Sequence, residues 1–167
     1  MGEPLGLVVG AIHMDIINST IVDNLGEMTV GLINTSYLNI LNSIFWDNDN
    51  DYEFASMPNN NQLNIEGAYS LFEDQLAGEN NILLNPLFID NENNNYQLTQ
   101  DSPCIDTGID YFIFQDDTII DIDLYNGDAP DMGAYEFSIN LEECESFLGD
   151  VNSDQVLDIL DILHTVN

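Results

Sequence analysis

Five side chains near the end of the chain carry oxygen at the spacing a hard cation wants. Asp150, Asn152 and Asp154 alternate, Asp158 follows, and Asp161 closes a count of twelve, leaving the backbone carbonyl of Val156 for position 7. Ca²⁺ takes roughly six to eight oxygen ligands, and short side chains alternating along a tight loop supply them without strain. An apolar helical pattern begins as the loop ends, with Ile159, Ile162, Leu163 and Val166 at i, i+3, i+4 and i+7. The expected Ca²⁺ ligands are therefore Asp150, Asn152, Asp154, Val156, Asp158 and Asp161. The competing reading is a solvated acidic turn before a short helix.

Two positions depart from an ordinary EF-hand: Gln155 stands where glycine is expected, and Asp161 replaces the bidentate glutamate. Gly149-Asp150-Val151-Asn152-Ser153-Asp154, followed by Asp158-Ile159-Leu160-Asp161-Ile162, resembles the first half of a type I dockerin repeat. That family uses aspartate at the twelfth position and a single helix after the loop. The resemblance implies a cohesin-like partner, although dockerins carry two such repeats and this chain holds one.

Charge narrows the chemistry further. The chain has 31 acidic residues and no Lys or Arg, where roughly twenty basic residues are usual for its length. Side-chain ion pairs can form only through His13 or His164. Nucleic acid is excluded as a partner, because nothing displaces counterions from phosphate. Anionic membrane surfaces and polyanionic substrates are disfavoured for the same reason. A fold with this charge needs bound cations, or a long surface over which its carboxylates spread.

Other side chains are candidates too. Asp23 and Asp47 are carboxylates at equivalent positions of a repeat, the residue type a glycosidase uses, but Asp-Asn after a strand is also a turn former. Asp47, Asp49 and Asp51 alternate in a calcium-like way, yet Pro58 falls at the twelfth position. Asp116, Asp117, Asp121, Asp123, Asp128 and Asp131 gather in a late segment. There Asp131 is expected to fix a turn, and Asp123 and Asp131 can share a cation. His13 and His164 are too isolated for a metal or triad site. Cys104 reads as a small apolar residue, and with Cys144 it allows one bridge without requiring it. Tyr37, Phe45, Trp46, Tyr69 and Phe72 offer either a sugar-stacking surface or an internal aromatic stack.

The elements that must position these groups repeat. His13–Asn24 and Tyr37–Asn48 align at a spacing of 24, with Ile16/Ile40, Asn18/Asn42, Ser19/Ser43, Asp23/Asp47 and Asn24/Asn48 identical. Tyr69-Ser70-Leu71-Phe72 follows Asn42-Ser43-Ile44-Phe45 at a spacing of 27. Units of this size are stacked supersecondary structures. Short β-branched runs punctuated by Asn-Ser and Asp-Asn favour strands over helices. The pattern predicts an all-β fold, a right-handed single-stranded parallel β-helix (a solenoid) with a short C-terminal calcium loop–helix. Ile16 then lies on Ile40 inside, Asn18 on Asn42 at a bend, and Ser19 on Ser43 and Ser70. Stacked amides would use many of the 22 Asn residues. An antiparallel sandwich is the alternative.

Later segments extend a resemblance. Asn85-Pro86-Leu87-Phe88, Asn95-Tyr96-Gln97-Leu98, Ser102-Pro103-Cys104-Ile105-Asp106-Thr107-Gly108 and Asp131-Met132-Gly133-Ala134-Tyr135-Glu136-Phe137 occur in order. The series resembles the C-terminal end of secreted bacterial right-handed parallel β-helix proteins of the pectate-lyase-like or choice-of-anchor type. It implies a fold and an extracellular or cell-surface address, not a reaction. The lyases of that group use an Arg or Lys base, which this chain lacks.

The expected organisation is β-helix coils with closing loops over 1–137, an acidic linker over 138–148 and the dockerin-like repeat over 149–167. Repeats beginning near Met1 and a single half-dockerin suggest the C-terminal part of a larger secreted protein. No basic leader or apolar run of membrane-spanning length is present, so membrane insertion is not expected. The expected role is a non-catalytic surface or adhesion module, or a carbohydrate-associated one, anchored through Ca²⁺ and a cohesin-like domain or polysaccharide. The alternatives are part of a carbohydrate-active enzyme, whether lyase or glycosidase, and a subunit that self-associates end to end.

Overall fold

Short runs of β-branched and aromatic residues, each ended by Asn-Ser or Asp-Asn, become short strands turned by left-handed backbone. The computed structural model describes residues 7–9, 13–32, 37–56, 64–74, 76 and 78–138. Nine strands come first: β1 (Leu7–Val9), β2 (His13–Ile17), β3 (Thr20–Val22), β4 (Leu25–Leu32), β5 (Tyr37–Leu41), β6 (Ile44–Trp46), β7 (Asp49–Ser56), β8 (Asn64–Ala68) and β9 (Leu71–Phe72). They are dealt in turn to three parallel sheets, β1-β4-β7, β2-β5-β8 and β3-β6-β9. Two antiparallel pairs follow, β10 (Phe88–Asp90) with β11 (Asn95–Leu98) and β12 (Tyr111–Phe114) with β13 (Asp117–Asp121). The fold is all-β, with no α-helix among the described residues.

Register gives the expected ladders. Ile16 lies opposite Ile40, and Thr20 opposite Ile44. Asn18 and Asn42 turn the chain between strands at φ of 44° and 49°, and Tyr69 does so at 50°. Asparagine tolerates this left-handed region better than most residues. Asp23 and Asp47 occupy it at the next corner, at φ of 56° and 53°.

Serines tie the layers together. The Ser19 N–H donates to Ser43 Oγ at 3.2 Å, and the Ser43 N–H donates to Ser70 Oγ at 3.1 Å. Each hydroxyl in turn donates to a carbonyl two residues back, Ile17, Leu41 or Ala68. The series passes to Asn81, whose Oδ1 accepts the Ser70 N–H. At the other corner Asn48 Oδ1 accepts both the N–H and the Nδ2 of Asn24.

The inner face of β2-β5-β8 packs Ile16, Leu38 and Ile40 with Val30, Phe45 and Phe72. Phe45 and Phe72 stack with centroids 5.5 Å apart, so these two rings are core. Where Ile16 and Ile40 point inward, the next layer has Gly67, and a Cβ there would lie 2.6 Å from Leu76 Cδ2. Glycine thus lets Leu76 fold against the core. On the opposite face of this sheet, Leu41 and Ala68 pack against Ile109, Phe112 and Ile120 of the β12–β13 region. Residues 1–137 form one unit and 138–167 a second.

Candidate functional site

The predicted calcium ligands Asp150, Asn152, Asp154, Val156, Asp158 and Asp161 lie outside the described residues, as do Cys144, His164 and the segment 139–148. Among the described residues, no group of three or more His, Cys, Asp or Glu side chains is arranged to hold a metal ion. No helix there is long and apolar enough to cross a membrane.

The Asp23–Asp47 pair is occupied with structure. Both are exposed turn residues in left-handed backbone. Asp23 Oδ2 accepts the Tyr96 hydroxyl at 2.7 Å, and that bond, helped by slight burial and the Asp23 charge, pushes the Tyr96 phenol up. Backbone capping at this corner comes from Asn48 rather than from the aspartates.

The late aspartates divide. Asp131 is buried, its Oδ1 accepting the Asp106 N–H at 2.8 Å and its Oδ2 the Phe137 N–H at 2.5 Å. Asp106 Oδ1 accepts from the Asp128 N–H, and Glu136 Oε1 from the Asp131 N–H. Gly127, at φ of 91°, is required because a Cβ there would meet Asp106 Oδ1 at 2.0 Å. These carboxylates therefore organise turns. Asp131 is bonded to backbone N–H groups beside Asp106 and Phe137, and Asp123 takes no part in those bonds. Burial pushes the Asp131 carboxyl up; its two backbone hydrogen bonds oppose that, and the neighbouring Glu136 and Asp106 charges reinforce it. Cys104 is fully buried, and burial pushes its thiol up to about 12, against the lowering effect of the Ser102 hydroxyl. It is packing material rather than a nucleophile.

One constellation brings mixed chemistry together, and sequence reasoning missed it. On the face of β2-β5-β8 turned to the hairpin, Asp15, Asn39 and Glu66 lie opposite one another across three strands. Asn39 is 1% exposed, and its Nδ2 donates to Asp15 Oδ1 at 2.7 Å. His13 Nε2 lies 2.9 Å from Asp15 Oδ1 and 2.9 Å from Asn39 Nδ2. With the proton on Nε2, the same carboxylate oxygen accepts from both. His13 is therefore not isolated. Its ring lies 5.2 Å from that of Phe114, which meets Tyr37 edge to face at 5.7 Å and 62°.

Tyr37, Asn39, Asn64, Ile65, Glu66 and Phe114 line a groove of about 330 Å³. Its size lies at the small end of ligand sites. The repeat alignment paired Asp15 with Asn39 but began its third copy at Tyr69, so Glu66 enters only through the register of β5 and β8; the arrival of Phe114 had no local signal. No protein-family model, no curated protein and no solved structure matches this chain.

Proposed function

We propose that residues 1–137 are the closing end of a right-handed parallel β-helix. It serves as a non-catalytic, carbohydrate-associated surface or adhesion module outside the cell, anchored by a dockerin-like Ca²⁺ segment at 149–167. The observation that carries the architecture is the dealing of β1 to β9 to three parallel sheets in strict rotation. A strand that returns parallel to itself every third element follows a helical path, and parallel crossovers are overwhelmingly right-handed. The extracellular address rests on the ordered motif series, and the anchor on the spacing from Asp150 to Asp161. Support for a non-catalytic role comes from Asp23, Asp47 and Asp131, whose backbone positions or hydrogen bonds fix turns.

Calcium calorimetry on the full chain tests the anchor. One site that vanishes in Asp150→Ala is expected, whereas no heat at millimolar Ca²⁺ would remove the anchor from the proposal. A second reading, self-association along the stacking direction, is favoured by β2 and β3, each paired on one edge alone among the described residues. Unpaired edges template further strands. Sedimentation should then show concentration-dependent growth, and a single species at every concentration would remove this reading.

A further inference from the structure

We infer that the groove between the β2-β5-β8 sheet and Phe114 binds an amino sugar bearing a free amine. The inference deepens the carbohydrate-associated reading above and rests on it. The exposed charge in the lining of this groove is the carboxylate of Glu66. Asn39, 1% exposed, spends its Nδ2 on Asp15 Oδ1 and offers the groove no free donor there. Glu66 is exposed and takes no hydrogen bond or ion pair among the described residues. Asp15, two strands away, is by contrast bonded to both His13 and Asn39. The carboxylate at the β8 side is thus the free one.

A groove carrying an exposed carboxylate with no hydrogen bond or ion pair favours a donor-rich cation. No Lys or Arg exists anywhere in the chain to pair with Glu66, so a ligand that carries positive charge is favoured there. The same absence rejects uronates, sulfated sugars and phosphates, which would meet a carboxylate with nothing to offset it. Tyr37 and Phe114, half-buried and set edge to face, supply an apolar wall for the C–H face of a pyranose and a π surface for its ammonium. The Tyr37 hydroxyl can donate to or accept from a sugar hydroxyl. A primary amine on a hydroxylated ring satisfies all of these groups together. Acetylation would remove the charge and two of the donors.

The test is an amide NMR titration of the full chain at mildly acidic pH and physiological salt. The probes are a glucosamine trimer, its N-acetylated counterpart and a galacturonate trimer. The glucosamine trimer should shift resonances of Tyr37, Asn39, Asn64, Glu66 and Phe114, and the other two should not. Affinity should fall about tenfold in Glu66→Gln and about threefold or more in Phe114→Ala. Asp101→Asn, an exposed carboxylate outside the groove lining, should change nothing. Equal binding of the acetylated trimer would overturn the assignment, as would no binding at millimolar sugar. So would shifts spread over the acidic surface with Asp101→Asn weakening binding as much as Glu66→Gln. None of these outcomes depends on the calcium segment, whose own titration reports separately.

Discussion

The stacked strands and the closing segment reach order by opposite means. Between His13 and Phe72 successive layers solve the same problem with like residues, Tyr69 and Gly67 in the third layer being the departures. Serine N–H groups enter serine hydroxyls, asparagines turn corners, and isoleucine sits on isoleucine. Between Phe88 and Phe137 each contact occurs once. Asn42 Nδ2 donates to the Ile109 carbonyl at 2.7 Å, and its Oδ1 accepts the Ile109 N–H at 2.8 Å. Its own carbonyl accepts the Gly133 N–H at 2.7 Å. Asn42 therefore belongs to both regimes, a corner of the stack and the clasp of the closing segment. Periodic structure spreads its stabilisation over many similar bonds, while aperiodic structure concentrates it in a few.

That contrast can be broken by mutation. The largest expected loss is in the stack, where Phe45→Ala removes a fully buried ring packed on Phe72. It should cost about 3–5 kcal/mol in a urea titration. Asn42→Ala comes next, orphaning both backbone groups of Ile109 and leaving alanine in left-handed backbone, at about 2–4 kcal/mol. Asn18→Ala, at the equivalent but exposed corner, should cost only about 1 kcal/mol. Equal losses at the two asparagines would show that the clasp contributes nothing beyond its turn.

The smallest effect is one of pH. The Asp131 carboxyl is pushed above its ordinary value near 3.8, chiefly by burial. A carboxyl raised on folding binds its proton more tightly in the native state. Its contribution is therefore complete below that ordinary value and is lost as pH climbs through the native one. Asp131→Asn lacks this slope, so the stability of the variant relative to the parent should rise across that acid window. A flat difference would place the carboxyl at its ordinary value.

What was legible in the sequence follows the same division. Identical residues at a spacing of 24 announced which side chains lie opposite each other, because parallel pairing turns a sequence interval into a register. The role of Asp131 as a turn-former was readable from Met132-Gly133 beside it. The Ile109 clasp was not, since 67 residues separate it from Asn42 and nothing local marks either partner. The groove was half visible. Asp15 and Asn39 share a repeat position, but Glu66 lies before the third copy that the alignment found, and Phe114 is delivered by a hairpin that packs on Leu41 and Ala68. Phe45 and Phe72 had two readings, and burial decides for the internal stack.

The serine series also constrains how such a gene can change length. Losing one residue inside a strand such as β5 would move part of its side chains to the wrong face, whereas the change of spacing from 24 to 27 is taken up between strands. Excising Ser19 through Asn42 instead joins Asn18 directly to Ser43 and restores the Asn-Ser corner. Unequal recombination between these stretches would then yield shorter or longer descendants that still fold, whereas single-residue losses inside the strands would be purged.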